Sequence, residues 1–168
     1  MYVKTMRLEL KPIAHQGLEN LVTLLTDEGV GQTYMVPDFA DREATERLAR
    51  RLMALSEGQR LVAGIWLEEE LVGILNETEV LGDRIELGYA VLPQYQNRGI
   101  AAEALRGAVE YCFSRGFREV TAGAFEENIP SIRVMEKCGM EKTGLTENIE
   151  YRDRTHRCVY YYIIRKSC

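Results

Sequence analysis

The sequence predicts an α/β chain of the α+β kind, with about seven strands and about four helices. Short alternating or uncharged apolar runs recur along the chain, as strands require. Apolar residues at three- and four-residue spacing mark the helices between them. The resulting order is β-α-α-β-β-β-α-β-α-β-β. A length of 168 residues suits one domain, 1–168, with a substantial core.

Residues 7–11 alternate, with Leu8 and Leu10 on one face and Arg7, Glu9 and Lys11 on the other. Pro12 ends that strand. Residues 15–27 form an amphipathic helix carrying Leu18, Leu21, Val22 and Leu25, and Gly29 and Gly31 terminate it. Residues 32–40 hold Tyr34, Met35, Pro37 and Phe39 without a period and read as a loop. Asp41 opens a second helix, to about residue 55, with Leu48, Leu52 and Leu55 on one face. Residues 61–67 and 71–78 pair as a hairpin around the charged turn Glu68-Glu69-Glu70. Val80-Leu81-Gly82-Asp83 turns the chain into a strand over residues 84–92, which Pro93 stops for want of an N–H. Ala101, Ala104, Leu105, Ala108, Val109, Cys112 and Phe113 then trace a helix that ends at Ser114-Arg115-Gly116. A strand at 120–125 follows. Next comes a short helix at 128–138, with Pro130 in its first turn and Gly139 beyond its end. Residues 140–148 and 157–164 close the chain as a hairpin joined by Tyr151-Arg152-Asp153-Arg154.

The net charge of −5 argues against a general nucleic-acid surface and suits a cationic amine. The N-terminus lacks the apolar run of a signal peptide, and no stretch is long and apolar enough for a membrane span. Cys112, Cys138, Cys158 and Cys168 are scattered and read as reduced thiols of a cytoplasmic protein. No His, Cys, Asp and Glu set has metal-ligand spacing, so no metal is expected.

The segment joining strand to helix, Gln96-Asn97-Arg98-Gly99-Ile100-Ala101, has the chemistry of an anion site. Gly99 permits a sharp turn or a close backbone approach, and Ala101 leaves it unobstructed. The unpaired N–H groups of the helix's first turn and its dipole favour a pyrophosphate. Gln96, Gly99 and Ala101 match the Gln/Arg-x-x-Gly-x-Gly/Ala pattern, and the segment resembles the acetyl-CoA pyrophosphate loop of the GNAT N-acetyltransferases. Residues 85–138 resemble that family's core in order and spacing. The resemblance implies a mixed, mostly antiparallel central sheet flanked by helices. Two neighbouring parallel strands would splay apart there to form the acetyl-CoA cleft. It also implies direct acetyl transfer to a primary amine, with coenzyme A as product.

The backbone from Gln96 to Ala101 is therefore the candidate cofactor loop, with Arg98 either adding charge near the phosphates or standing as a solvated surface cation. The resemblance implies that Val91 and Leu92 bond the pantetheine arm through their backbone, with a free N–H left for the thioester oxygen. Asn128-Ile129-Pro130-Ser131 resembles the Asn-x-x-Ser of the branch that acetylates ribosomal-protein N-termini at alanine or serine. In that branch Asn binds the pantetheine region and the Ser hydroxyl lies near the sulfur. Both residue types also cap helices, and the two roles are compatible. Many family members place an acidic Tyr seven residues after that Asn. Here the position is Met135, which leaves Ser131, a water or unassisted thiolate departure.

Glu86 is the candidate base or cation holder; its alternative is a solvent-facing or ion-paired strand residue. Glu77, Glu79, Glu126 and Glu127 are candidates to line an acidic mouth. His15 and His156 read as surface or turn residues, Cys112 as core, and Tyr160-Tyr161-Tyr162 as packing or interface. The expected partner is a small-molecule or peptide amine, with no nucleic acid and no membrane; a homodimer stays open. Specificity is expected in residues 29–40 and 149–156. Two rival readings are a non-catalytic acyl-CoA-binding or sensor module and a transferase of a bulkier acyl group.

Overall fold

The computed structural model describes residues 1–167; Cys168 lies outside the described residues. The strands are β1 (Val3–Lys4), β2 (Leu8–Lys11), β3 (Val62–Leu67), β4 (Glu70–Leu81), β5 (Arg84–Val91), β6 (Glu119–Phe125), β7 (Glu141–Tyr151) and β8 (Arg154–Ile164). The α-helices are α1 (Leu18–Thr26), α2 (Glu28–Gly31), α3 (Arg42–Ser56), α4 (Ile100–Ser114) and α5 (Ile129–Lys137). One strand and one helix thus exceed expectation. β1 is only two residues long, too short to show alternation. α2 is a single turn rich in glycine, started by the Asp27 side chain accepting the Val30 N–H at 2.8 Å.

All eight strands join one sheet in the order β1-β2-β3-β4-β5-β6-β8-β7. Every neighbouring pair is antiparallel except β5 and β6. That parallel pair holds only over Arg84–Glu86 against Glu119–Thr121. Beyond Glu86 the two strands part, so the sheet contains a gap bordered by Leu87–Val91 on one side and Ala122–Phe125 on the other.

Alternation along β5 assigns its side chains to two cores. Ile85, Leu87 and Val91 pack with α4 and α5 residues such as Leu105, Val109 and Met135. Ala90, with Leu92 just beyond the strand, packs with Leu21 and Leu25 of α1 and Ala49 of α3. β5 therefore separates two layers, and the gap beside it connects them.

Both long hairpins run further than the apolar pattern suggests. β4 continues to Leu81, where Val80 and Leu81 are exposed, and only Gly82 and Asp83 form the turn. β7 and β8 extend to Tyr151 and Arg154 and turn on Arg152 and Asp153, both at positive φ (50° and 58°). A two-residue turn of that form usually carries Gly or Asn; here the expected joining segment 151–154 narrows to Arg152 and Asp153 alone.

Candidate active site

The gap between β5 and β6 opens into a cleft of about 980 Å3. In an antiparallel ladder the N–H and C=O groups of alternate residues face alternate neighbours. The Leu92 N–H donates to the Val72 carbonyl at 2.8 Å, so it is spent on β4. Of the two residues that the resemblance offers for a free donor, Leu92 is therefore excluded. By alternation the N–H groups of Leu87, Tyr89 and Val91 face away from β4 and into the gap. The Val91 N–H is thus the donor available at the strand's end.

Past β5, the 3-10 turn Pro93–Tyr95 leads into the loop. Gln96 turns its side-chain amide back to the Val91 carbonyl at 2.9 Å. Asn97 and Gly99 both take positive φ, 60° and 74°. Gly99 is the N-cap of α4, and no side chain caps that end. The first intrahelical acceptor is the Gly99 carbonyl, bonded by the Glu103 N–H at 3.0 Å. The N–H groups of Ile100, Ala101 and Ala102 have no partner among the described residues, and these residues line the cleft. Such a free helix end, with no Cβ at Gly99, can hold a pyrophosphate.

Arg98 does not line the cleft; its guanidinium lies over the Tyr95 ring, 5.4 Å from the centroid. Instead, Arg7 braces the loop from the N-terminal segment. Its Nη1 donates to the Arg98 carbonyl at 2.9 Å, and its Nε to Glu103 at 2.7 Å. Arg7 lies outside the strand, which begins one residue later than the alternation predicts.

Glu86 is the last β5 residue paired with β6 and sits at the apex of the gap. A bulge at Thr78 shifts the β4–β5 register between Glu77 and Glu79, and the Thr78 hydroxyl donates to the Glu86 carboxylate. On the gap's far side Asn128 caps α5, its Oδ1 accepting the Ser131 N–H at 3.3 Å. The Ser131 hydroxyl lies 2.9 Å from the hydroxyl of Tyr89. Both residues line the cleft, and Met135 is fully buried beneath them in the α4–α5 core. Two cations missed in the sequence, Arg133 and Lys137, line the cleft from α5. Helical spacing of four residues puts them on one face, but nothing local reveals that the face borders a gap.

Residues 7–141 match the family model for the acetyltransferase (GNAT) domain. The chain belongs to the GNAT family. The N-acetyltransferase YnaD of Bacillus subtilis is 34% identical over 99 residues, a match spanning 58% of each protein. A GNAT acetyltransferase structure from Bacillus anthracis superposes with a TM-score of 0.85 at 25% identity, covering 98% of both chains. RimL, a ribosomal alpha-N-protein acetyltransferase solved with coenzyme A, superposes at 0.84 over 98% of both chains. Its identity is only 19%, so that likeness is one of fold.

The outer mouth of this GNAT cleft is built from two distant segments. Tyr34 donates its hydroxyl to Asn76 Oδ1 at 2.7 Å, and burial pushes its pKa up to about 12. Tyr151, at the tip of the β7–β8 hairpin, donates to the Gly31 carbonyl at 2.6 Å and accepts the Val36 N–H at 3.2 Å. Ile149, Met35 and Phe125 line the space between them. His156 is not a surface residue: it is buried, stacked on Phe125 at 4.2 Å, with Nδ1 2.7 Å from the Glu127 carboxylate. None of Glu77, Glu79, Glu126 and Glu127, the candidates for an acidic mouth, lines the cleft; its carboxylates are Glu86 and Asp27. Glu77 is tied to Arg60 at 2.8 Å, Glu79 to Arg84 at 3.2 Å, and Glu127 to His156. His15 is exposed, Cys112 is buried in the core, and no helix among the described residues is long and apolar enough to cross a membrane.

Proposed function

We propose that this chain is an acetyl-CoA-dependent N-acetyltransferase that moves the acetyl group directly to a primary amine of a peptide or small molecule. The observation that carries the reading is the placement of Glu86 and Ser131 across one gap in the sheet. Glu86 follows the even-numbered side chains of β5, toward the α1–α3 layer, while Ser131 comes from α5 on the other layer. A thioester threaded through the gap has an acceptor side and a leaving-group side.

The residues present fit acetyl-CoA, which supplies the acetyl group as an activated thioester. The free N–H groups of Ile100, Ala101 and Ala102 suit its pyrophosphate, and Arg133 and Lys137 add positive charge on the same rim. The Val91 N–H is oriented to donate to the acyl oxygen as negative charge develops there. Glu86 holds the incoming ammonium and takes up its proton, either directly or through water. Thr78 fixes the carboxylate's orientation for that task. The Ser131 hydroxyl, which lines the cleft, would donate to the thioester sulfur as it leaves.

The test is release of free thiol from acetyl-CoA against a panel of amines, with mass spectrometry of the product. The panel includes peptides with Ala, Ser or Thr N-termini, free amino acids and polyamines. Acetylation of at least one amine at its nitrogen is expected. Tight binding of coenzyme A with no transfer to any amine would instead support the binding-module reading. Faster turnover with propionyl- or succinyl-CoA would move the assignment to a bulkier donor.

A further inference from the structure

We infer that Tyr89 completes a two-hydroxyl donor chain, Tyr89 to Ser131 to sulfur, that stabilises the coenzyme A thiolate as it leaves. The inference rests on the acyl-transfer reading and adds a positioning residue to it.

The geometry comes first. Tyr89 Oη lies 2.9 Å from Ser131 Oγ and 3.3 Å from the Ser131 carbonyl. No other group bonds either hydroxyl among the described residues. A helical Ser usually returns its proton to a backbone carbonyl of the preceding turn. Ser131 does not, so its proton has only the phenol or the cleft to serve. Both residues line that cleft, from facing elements, β5 and α5.

The direction of the chain follows from the two hydroxyls. When the phenol donates to Ser131 Oγ, the serine's own O–H is freed to point at an anion in the cleft. Burial pushes the Tyr89 phenol up to about 12, so it keeps its proton and has one to donate to Ser131. A hydroxyl that is itself accepting a hydrogen bond becomes a better donor. An isolated Ser131 would be the weaker partner for sulfur.

The protons balance without any loss from Tyr89 or Ser131. The C–S bond breaks as the acyl carbonyl reforms, and its electron pair goes to sulfur. An ammonium acceptor sheds two protons in becoming a secondary amide. One leaves through Glu86 and the other neutralises the thiolate. The hydroxyl chain holds the negative charge between those events.

The test reads the thiol directly and needs no acceptor. Coenzyme A bound to the protein is titrated by thiolate ultraviolet absorbance, with coenzyme-free protein subtracted. The protein's own buried thiols stay out of the window, since burial pushes Cys112 up to about 12, Cys138 to about 11 and Cys158 upward. Tyr89→Phe is expected to raise the ionisation pH of the bound thiol. Ser131→Ala should raise it further, and the double variant no further than Ser131→Ala alone. In turnover, Tyr89→Phe should lower kcat roughly tenfold with the KM for acetyl-CoA unchanged. Fluorotyrosine at position 89 keeps the ring and strengthens the donor, so it should shift the titration the opposite way. It also serves if Tyr89→Phe folds poorly. A wild-type titration curve in Tyr89→Phe, or no movement with fluorotyrosine, would overturn the chain. A shifted thiol in wild type without transfer to any amine would sink the transferase reading and leave the donor chain standing.

Discussion

Asn128 both caps α5 and lines the cleft. Its Oδ1 caps α5, so the stability cost of losing a cap belongs to Asn128 and not to Ser131. Asn128→Ala should lower stability by about 1 kcal/mol in denaturant titration. If the side chain also touches the pantetheine arm, as the family resemblance implies, the KM for acetyl-CoA should rise in the folded variant. Glu86→Gln should behave differently. It leaves the fold and the cofactor loop alone, and kcat should fall about 10²-fold with the KM for acetyl-CoA nearly unchanged. A wild-type rate across pH 6 to 9 would remove Glu86 from the chemistry. At Gly99 the conflict is in the backbone. Its φ of 74° strains any L side chain, and a branched one would extend toward the Arg7 guanidinium, which lies 3.5 Å from where a Cβ would sit. Gly99→Val should abolish acetyl-CoA binding in calorimetric titration while the protein still unfolds cooperatively.

The loop before α4 was the part of the candidate site most legible in the sequence, because the features of a phosphate cradle are local. It needs one glycine, small neighbours and a following helix, all within six residues. What holds the cradle is not local. Arg7 and Thr5 reach Glu103 across more than ninety positions of chain, at 2.7 Å and 2.6 Å. Periodicity reports which face a residue occupies, never which distant residue it meets. Tyr89 and Ser131 were illegible as a pair for the same reason. The brace has a pH signature. Burial works to raise the Glu103 pKa, but hydrogen bonds from Thr5 and Arg7 outweigh it and leave the pKa below the usual carboxylate range. A depressed folded-state value stabilises the protein above the unfolded-state pKa. That contribution is lost as pH falls through the folded-state value. Between about pH 5 and pH 3, wild type should lose melting temperature more steeply than Glu103→Gln. The same variant should weaken acetyl-CoA binding at neutral pH, since the loop loses its brace.

Across the whole molecule, the interleaved order of strands and helices was readable from the pattern, and the resemblance supplied their arrangement. The two segments without a motif, 29–40 and 149–156, turn out to touch each other. Tyr151 on the hairpin tip bonds the backbone at Gly31 and Val36, and together they border the outer end of the cleft, where the proposed acceptor would enter. Neither segment alone shows this, because a loop's partner depends on where the sheet carries its far edge. Tyr151→Phe should therefore raise the KM for the amine several-fold and leave that for acetyl-CoA unchanged; equal effects on both would mean that the hairpin does not shape the mouth.

The gap between β5 and β6 has a further consequence, for the order of events. Because it joins the two layers, the proposed transfer requires that the two substrates approach from opposite faces and be present together. Initial-rate plots should then intersect, with neither substrate displacing the other. Cys158, the thiol lining the cleft, is pushed upward by burial and is a poor nucleophile, so no acetylated protein should accumulate when the amine is withheld. A molecule in which the acceptor nitrogen is tethered to coenzyme A would pass through the sheet like a thread through an eyelet. It should bind far more tightly than either half alone.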